Sequence, residues 1–252
     1  MSPGMRWTKR VGGIAALLLL GFGLPAPLSA QPEPRIAIDA ASWHLESSSN
    51  GIQIYSSQVP GASVVPCKAV MTIPGTIEEV SLVLEDISRR HEWISNFGRS
   101  VLLARPNDYD QTEYLKVDMP WPACDRTALV RVLITVSDDL ARATIAAQSV
   151  ESVPNDTLPK LVRSKIYAST FQMTQVGNQV EVVALVFIDP RGSIPKWIVN
   201  YFTRRVSRST LEGLRRQVAR RLYPPERIAA MHQRMEAYPA FRARQGAMPA
   251  SP

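Results

Sequence analysis

The chain is 252 residues long, 45% hydrophobic and 20% charged, with a formal net charge of +7 at pH 7 and two cysteines. That is enough apolar chain for one domain with a large core, and no repeat or low-complexity block interrupts it. The positive excess sits mainly among the arginines after Pro190, which points to an anionic partner: nucleic acid, a lipid surface or an acidic protein.

Arg6, Lys9 and Arg10 precede an apolar run from Val11 to Leu24, followed by Pro25-Ala26-Pro27-Leu28-Ser29-Ala30. This is the order of a secretory signal peptide, residues 1–30, and the run is short for a membrane span. Retention as an uncleaved anchor is the alternative. The mature chain is expected to begin near Gln31, to be soluble and to lie outside the cytoplasm, in the periplasm. Loss of the leader's three basic residues takes the charge from +7 to +4. Export excludes nucleic acid and leaves a membrane surface or an acidic partner. In an oxidising compartment Cys67 and Cys124 either pair as a disulfide or stay as two buried thiols, and spacing does not decide between them.

Residues 31–39 are Pro-rich and read as a linker. A short helix is predicted over Ala40–Ser47 with Trp43 as its apolar anchor, then a turn at Asn50-Gly51 and a strand at Ile52–Tyr55. A second strand, Cys67–Ile73, ends at Pro74-Gly75. Thr76 and Glu79 form a capping box that opens a helix directing Ile77, Val80, Leu84 and Ile87 to the core. After a polar-aromatic bend at residues 89–94, strands dominate: Ser100–Ala104, Gln111–Val117, Ala128–Val136, Ala141–Gln148, Leu161–Met173 and Val180–Ile188. Gly177-Asn178 marks a hairpin turn before the last of these. Residues 182–188 lack strict alternation, as in a strand buried on both faces. Sequential strands with one early helix and one long late helix predict an α+β fold with an antiparallel sheet.

The late helix follows Asp189-Pro190-Arg191-Gly192, with Ser193 placed to cap it and Pro195 in its first turn. Ile194, Ile198, Phe202, Val206, Leu214, Val218 and Leu222 recur every four positions, with Thr210 in the gap, and Trp197, Tyr201 and Leu211 widen the stripe. Arg204, Arg205, Arg208, Arg215, Arg216, Arg220 and Arg221 occupy the other face. Such a helix closes one side of an apolar cavity and turns its basic side outward. Pro224-Pro225 stops it, and Glu226–Tyr238 is a short amphipathic stretch that packs on the domain or forms a loose tail.

Reactive constellations are sparse. His44, His91 and His232 are scattered, with no partner at metal-ligand spacing. There is no phosphate loop and no nucleophile elbow. His91 beside Glu92 could serve as an acid–base pair, and otherwise forms a hydrogen-bonded bend. In Met119–Arg126 the prolines impose a rigid bend or sheet edge. Arg126 then enters an apolar strand, where it is either bridged to an Asp or Glu or presented to a ligand head group.

These blocks resemble a known family. Trp43 with Gly51–Tyr55 and Val59-Pro60-Gly61, then Pro120-Trp121-Pro122-Ala123-Cys124-Asp125-Arg126, then Asp189–Pro195 with Trp197 and Asn200 are similar to the ordered blocks of START (steroidogenic acute regulatory protein-related lipid transfer) domains. The resemblance covers residues 40–223 and leaves 224–252 as a partly amphipathic tail. It implies a helix-grip fold, a curved antiparallel sheet closed by a long C-terminal helix around an apolar cavity. It also implies binding of one sterol, hopanoid, phospholipid or fatty acid, carried or sensed in the cell envelope, without catalysis, cofactor or metal. The sequence departs from the pattern at Cys124, Thr127 and Arg191, where the family often has Ser, Asp and Gly.

On this reading Trp121, Arg126, Trp197, Ile198, Tyr201 and Phe202 are expected to contact ligand, with Trp93 and Tyr114 as weaker candidates. Arg204, Arg205 and Arg208 are expected to dock an anionic membrane, and the protein to be a monomer. Two alternatives remain. One is a helix-grip enzyme of the cyclase or aromatase type, which would require His91, Glu92 or another acid in the cavity. The other is a module docking an acidic protein through its arginine face.

Overall fold

A computed structural model describes residues 34–40, 42–119, 123–152 and 161–246, all within the unit Glu33–Pro252. The leader and Trp121 lie outside the described residues. The fold is α+β, a large curved antiparallel sheet with a long helix against it, and the sheet does not close into a barrel. Its strands are β1 (His44–Ser49), β2 (Ile52–Ser56), β3 (Cys67–Pro74), β4 (Phe97–Asn107), β5 (Asp110–Val117), β6 (Arg126–Val136), β7 (Arg142–Ser149), β8 (Val162–Arg163), β9 (Lys165–Val176) and β10 (Gln179–Asp189). Their spatial order is β1-β2-β3-β10-β9-β7-β6-β5-β4, with β8 pairing parallel to the start of β6. The helices are α1 (Ile77–Glu85), α2 (Lys196–Ala219) and α3 (Pro225–Gly246). Among the described residues no helix is long and apolar enough to cross a membrane.

Local chemistry accounts for most of these boundaries. The Thr76–Glu79 capping box forms in both directions: Thr76 Oγ1 accepts the Glu79 N–H at 3.4 Å, and Glu79 Oε2 accepts the Thr76 N–H at 2.9 Å. Gly177 adopts φ +56° in the β9–β10 hairpin. β10 is buried on both faces because Ala184, Val186 and Ile188 face the cavity described below, while Phe187 on the other side packs with Val64, Val59 and Tyr167.

Three sequence expectations are corrected. Residues 44–49 form edge strand β1, not the end of a helix. Asn50 (φ +52°) and Gly51 (φ +72°) fold them back onto β2 as a hairpin, and cross-strand pairing overrides local helix preference. Ser193 does not cap α2: Pro195 holds the N-cap position and no side chain bonds the first turn, since the tight turn at Arg191 (φ +52°) and Gly192 (φ +77°) leaves Ser193 outside it. At its other end α2 stops at Ala219, where Arg221 (φ +51°) reverses the chain, so Leu222 is not on the helix.

After that reversal the chain forms a further helix of 22 residues, α3, which runs through Pro239. Met231, Met235 and Tyr238 are buried in the main core. Tyr109 seats the helix: its hydroxyl donates to the Arg234 carbonyl at 2.6 Å, and its ring meets Tyr238 and Phe241 at 4.9 and 4.7 Å. Arg234 is ion-paired with Glu85 at the end of α1.

Candidate ligand cavity

A cavity of about 380 Å³ lies between the sheet and α2. Ile194, Ile198, Phe202, Val206 and Thr210 line it from the helix side, so the first part of the stripe seen in the sequence is the cavity wall, while Leu214 and Val218 pack in the core. Ala184, Val186 and Ile188 of β10 and Phe171 of β9 face them. Ile94–Phe97, Met119, Ala123 and Pro190 complete the lining where the loops meet the start of α2. The surface is predominantly apolar with a few hydroxyl and amide groups, the usual composition of a small-molecule pocket.

Arg126, the first residue of β6, is 5% exposed and lines this cavity. Of the two alternatives, a carboxylate bridge is not formed among the described residues. Its Nε donates to the Pro190 carbonyl at 2.7 Å, Nη2 to the Arg191 carbonyl at 3.2 Å, and Nη1 to the Cys124 carbonyl and, at 3.5 Å, that of Asp125. Asp125 itself is engaged by Lys116 at 2.7 Å. Gly192 packs close against the guanidinium; a Cβ there would sit 3.3 Å from Nη2.

The other expected contacts divide. Ile198 and Phe202 line the cavity. Trp197 and Tyr201 do not: they are 72% and 61% exposed on the opposite side of α2. The lining extends along the other flank of the stripe, through Val199, Thr203 and Ser207, and at about 100° per residue this turns Trp197 and Tyr201 outward. Trp93 and Tyr114 are buried but lie outside the lining.

The arginine face is also partly consumed by the fold. Arg204 pairs with Glu46 at 3.2 Å, and Arg208 donates to Ser47 at 2.8 Å and to Ser49. A β-bulge between Leu45 and Ser47 accompanies Glu46. These two arginines stitch α2 to edge strand β1 instead of forming a free docking surface, whereas Arg205 remains exposed.

Cys67 and Cys124 are both free, so the possible disulfide is not formed. Cys67 is buried on β3 while Cys124 is exposed in the loop before β6. Burial pushes the Cys67 thiol up, with the neighbouring Ser207 hydroxyl and Arg204 opposing that, so it is a packed thiol and not a thiolate.

Two features escaped the sequence reading. Ser207 lines the cavity at 5% exposure beside the Cys67 thiol; a serine on a helix gives no signal of that kind. Glu113 is fully buried and held by Arg90, Ser100 (2.8 Å) and Gln111 (2.6 Å). It lies outside the described lining, which holds no carboxylate, histidine or thiol. His91 is exposed and Glu92 is tied to Gln217 and Arg220, so neither reaches the cavity.

The sequence model of the START domain matches residues 31–227. An uncharacterized protein of Pseudomonas aeruginosa is 28% identical over 187 residues, covering 72% of this chain and 89% of the relative. Among solved structures, human STARD10 superposes with a TM-score of 0.66 at 21% identity, covering 84% of this chain and 85% of that one. A STAR-related lipid transfer protein fragment from Xanthomonas axonopodis gives 0.62 at 23% identity, with 71% and 99% covered.

Proposed function

This chain belongs to the START domain family, and from that premise we propose that it holds one lipid molecule between α2 and the sheet and carries or senses it in the cell envelope after export. Membership implies an apolar ligand. The observation that carries the reading here is the apolar cavity of about 380 Å³ with one buried arginine at its edge. Among the described residues the lining has no carboxylate, histidine or thiol, so its serine and threonine hydroxyls have no general base to activate them, and this favours a carrier over an enzyme.

Contact with a membrane is assigned to Trp197 and Tyr201, one turn apart on the exposed side of α2, and not to Arg204 and Arg208. Large aromatics with a polar edge suit the boundary between headgroup and acyl chain. Lys196 and Arg205 are exposed beside them and supply attraction to anionic lipid. Leu161 and Val162, each 42% exposed, add an apolar edge at β8, where Val162 is the backbone neighbour of Arg126. The protein is proposed to act as a monomer.

The test is transfer of fluorescent lipids between donor and acceptor vesicles by purified protein. Faster transfer than the spontaneous rate supports the carrier reading. Uptake into the protein without any acceleration of transfer would leave sensing as its role, and absence of both would remove the proposal.

A further inference from the structure

Arg126 is the one charged side chain among the described residues lining the cavity. Its hydrogen bonds all run to main-chain carbonyls, those of Pro190, Arg191, Cys124 and Asp125. Carbonyl dipoles satisfy donors but do not cancel a unit charge, and a buried cation without a counter-charge is unfavourable. Asp125, next to it in sequence, is engaged with Lys116, and Asp189, next to the Pro190 whose carbonyl it binds, with the Arg191 N–H and Ser63. A guanidinium has five N–H groups and four bonds are made, so one Nη2 hydrogen has no acceptor among the described residues. Among the described residues the group at the cavity edge therefore has no paired anion and one donor without an acceptor.

The shape of the space is equally selective. Its volume lies near the lower end of the ~300–1,000 Å³ common for ligand sites. Lining residues run along α2 from Pro195 to Thr210, roughly 22 Å at 1.5 Å per residue. A volume of about 380 Å³ drawn out over that distance is a narrow slot, which favours one chain over the paired acyl chains of a phospholipid.

Resting on the lipid-cavity reading above, we propose that the ligand is a single-chain amphiphile with an anionic head, a carboxylate or phosphate. The head accepts from Arg126 at the Pro190–Gly192 turn, and the tail lies along Ile198, Phe202 and Val206 toward Thr210. This deepens the proposed function by choosing among the lipid classes a START domain could hold.

The experiment compares chain-matched probes on the unaltered protein, stripped of bound lipid: palmitic acid, hexadecyl phosphate, hexadecanol and methyl palmitate, each titrated by competition with a fluorescent acyl probe at pH 8. At least one of the two anions is expected to bind tenfold or more tighter than both neutral probes, because charge-assisted hydrogen bonds are the stronger kind. Which anion is preferred identifies the head. A second measurement uses Arg126→Gln, checked for folding by circular dichroism, in which the preference should vanish while hexadecanol affinity is retained. Equal binding of anionic and neutral probes would overturn the anionic head but leave the lipid cavity standing. Preferential binding of a two-chain phospholipid would overturn the single-chain slot. Failure of every probe, including the fluorescent one, would remove both this inference and the cavity reading beneath it.

Discussion

Arg126 Nε donates to the Pro190 carbonyl at 2.7 Å, joining the first residue of β6 to the turn that launches α2. Gly192 closes that turn with φ +77°, and a Cβ added to it would stand 3.3 Å from Arg126 Nη2. Gly61 has the same φ with no atom within 4 Å of its would-be Cβ. Gly61→Ala is therefore expected to lose only the left-handed backbone penalty, about 1 kcal/mol. Gly192→Ala should lose about 2 kcal/mol, because Arg126 must also shift. Urea titrations of the two variants, set side by side, isolate the contribution of the Arg126 corner.

Gly213 of α2 packs against Trp93, the residue that follows the 3₁₀ turn at Ile87–Glu92. A Cβ there would overlap the Trp93 carbonyl oxygen. Helix propensity alone favours alanine at this site by about 1 kcal/mol. Steric overlap with backbone should reverse the sign, so Gly213→Ala is expected to destabilise the domain by about 2–3 kcal/mol in chemical denaturation.

Attachment of α3 is expected to depend on pH through His232 and Glu78, whose Nδ1 and Oε1 lie 2.7 Å apart. The Glu78 hydrogen bond raises the His232 pKa above its ordinary 6.5. For Glu78, burial pushes the pKa up, but hydrogen bonds led by His232 outweigh it and leave the carboxyl below its ordinary 4.5. The histidine contribution is therefore complete below pH 6.5 and lost as pH rises through its raised value. The carboxylate contribution is complete above pH 4.5 and lost as pH falls through its lowered value. Hydrogen exchange of α3 amides should thus be slowest between these limits, after correction for intrinsic rates. At pH 8.5 they should exchange faster relative to the core, and His232→Ala should remove that difference.

Membrane contact through aromatics predicts a particular pattern of loss. Replacing both Trp197 and Tyr201 by alanine should cut vesicle binding at least tenfold while leaving the melting temperature within a few degrees, since both side chains are largely exposed. Arg204→Glu or Arg208→Glu should instead lower stability, by breaking the ties to Glu46, Ser47 and Ser49. Co-sedimentation and calorimetry together distinguish the two classes.

Much of the architecture can be read from residue pattern alone, because turn chemistry and periodicity are local. Thr76 and Glu79 announce α1, Gly177-Asn178 announces the last hairpin, and Ile194, Ile198, Phe202 and Val206 trace the cavity wall. What escapes is what long-range pairing decides. Residues 44–49 join the sheet only because β2 lies ready beside them, and α3 is held by Tyr109, far away in sequence. Trp197 and Tyr201 look like core residues by type, yet their helical angle turns them outward. Arg126 is legible as a buried cation, but its carbonyl partners at Pro190 and Arg191 belong to tertiary structure.

Native mass spectrometry of the delipidated chain after incubation with lipid vesicles tests the central claim most directly. The account predicts a single added mass, one lipid per chain. The signal should fall sharply in Val206→Trp, whose larger side chain would obstruct the cavity partway along α2. A protein that emerges from the vesicles with no added mass, or an obstructed variant that still takes up lipid normally, would contradict it.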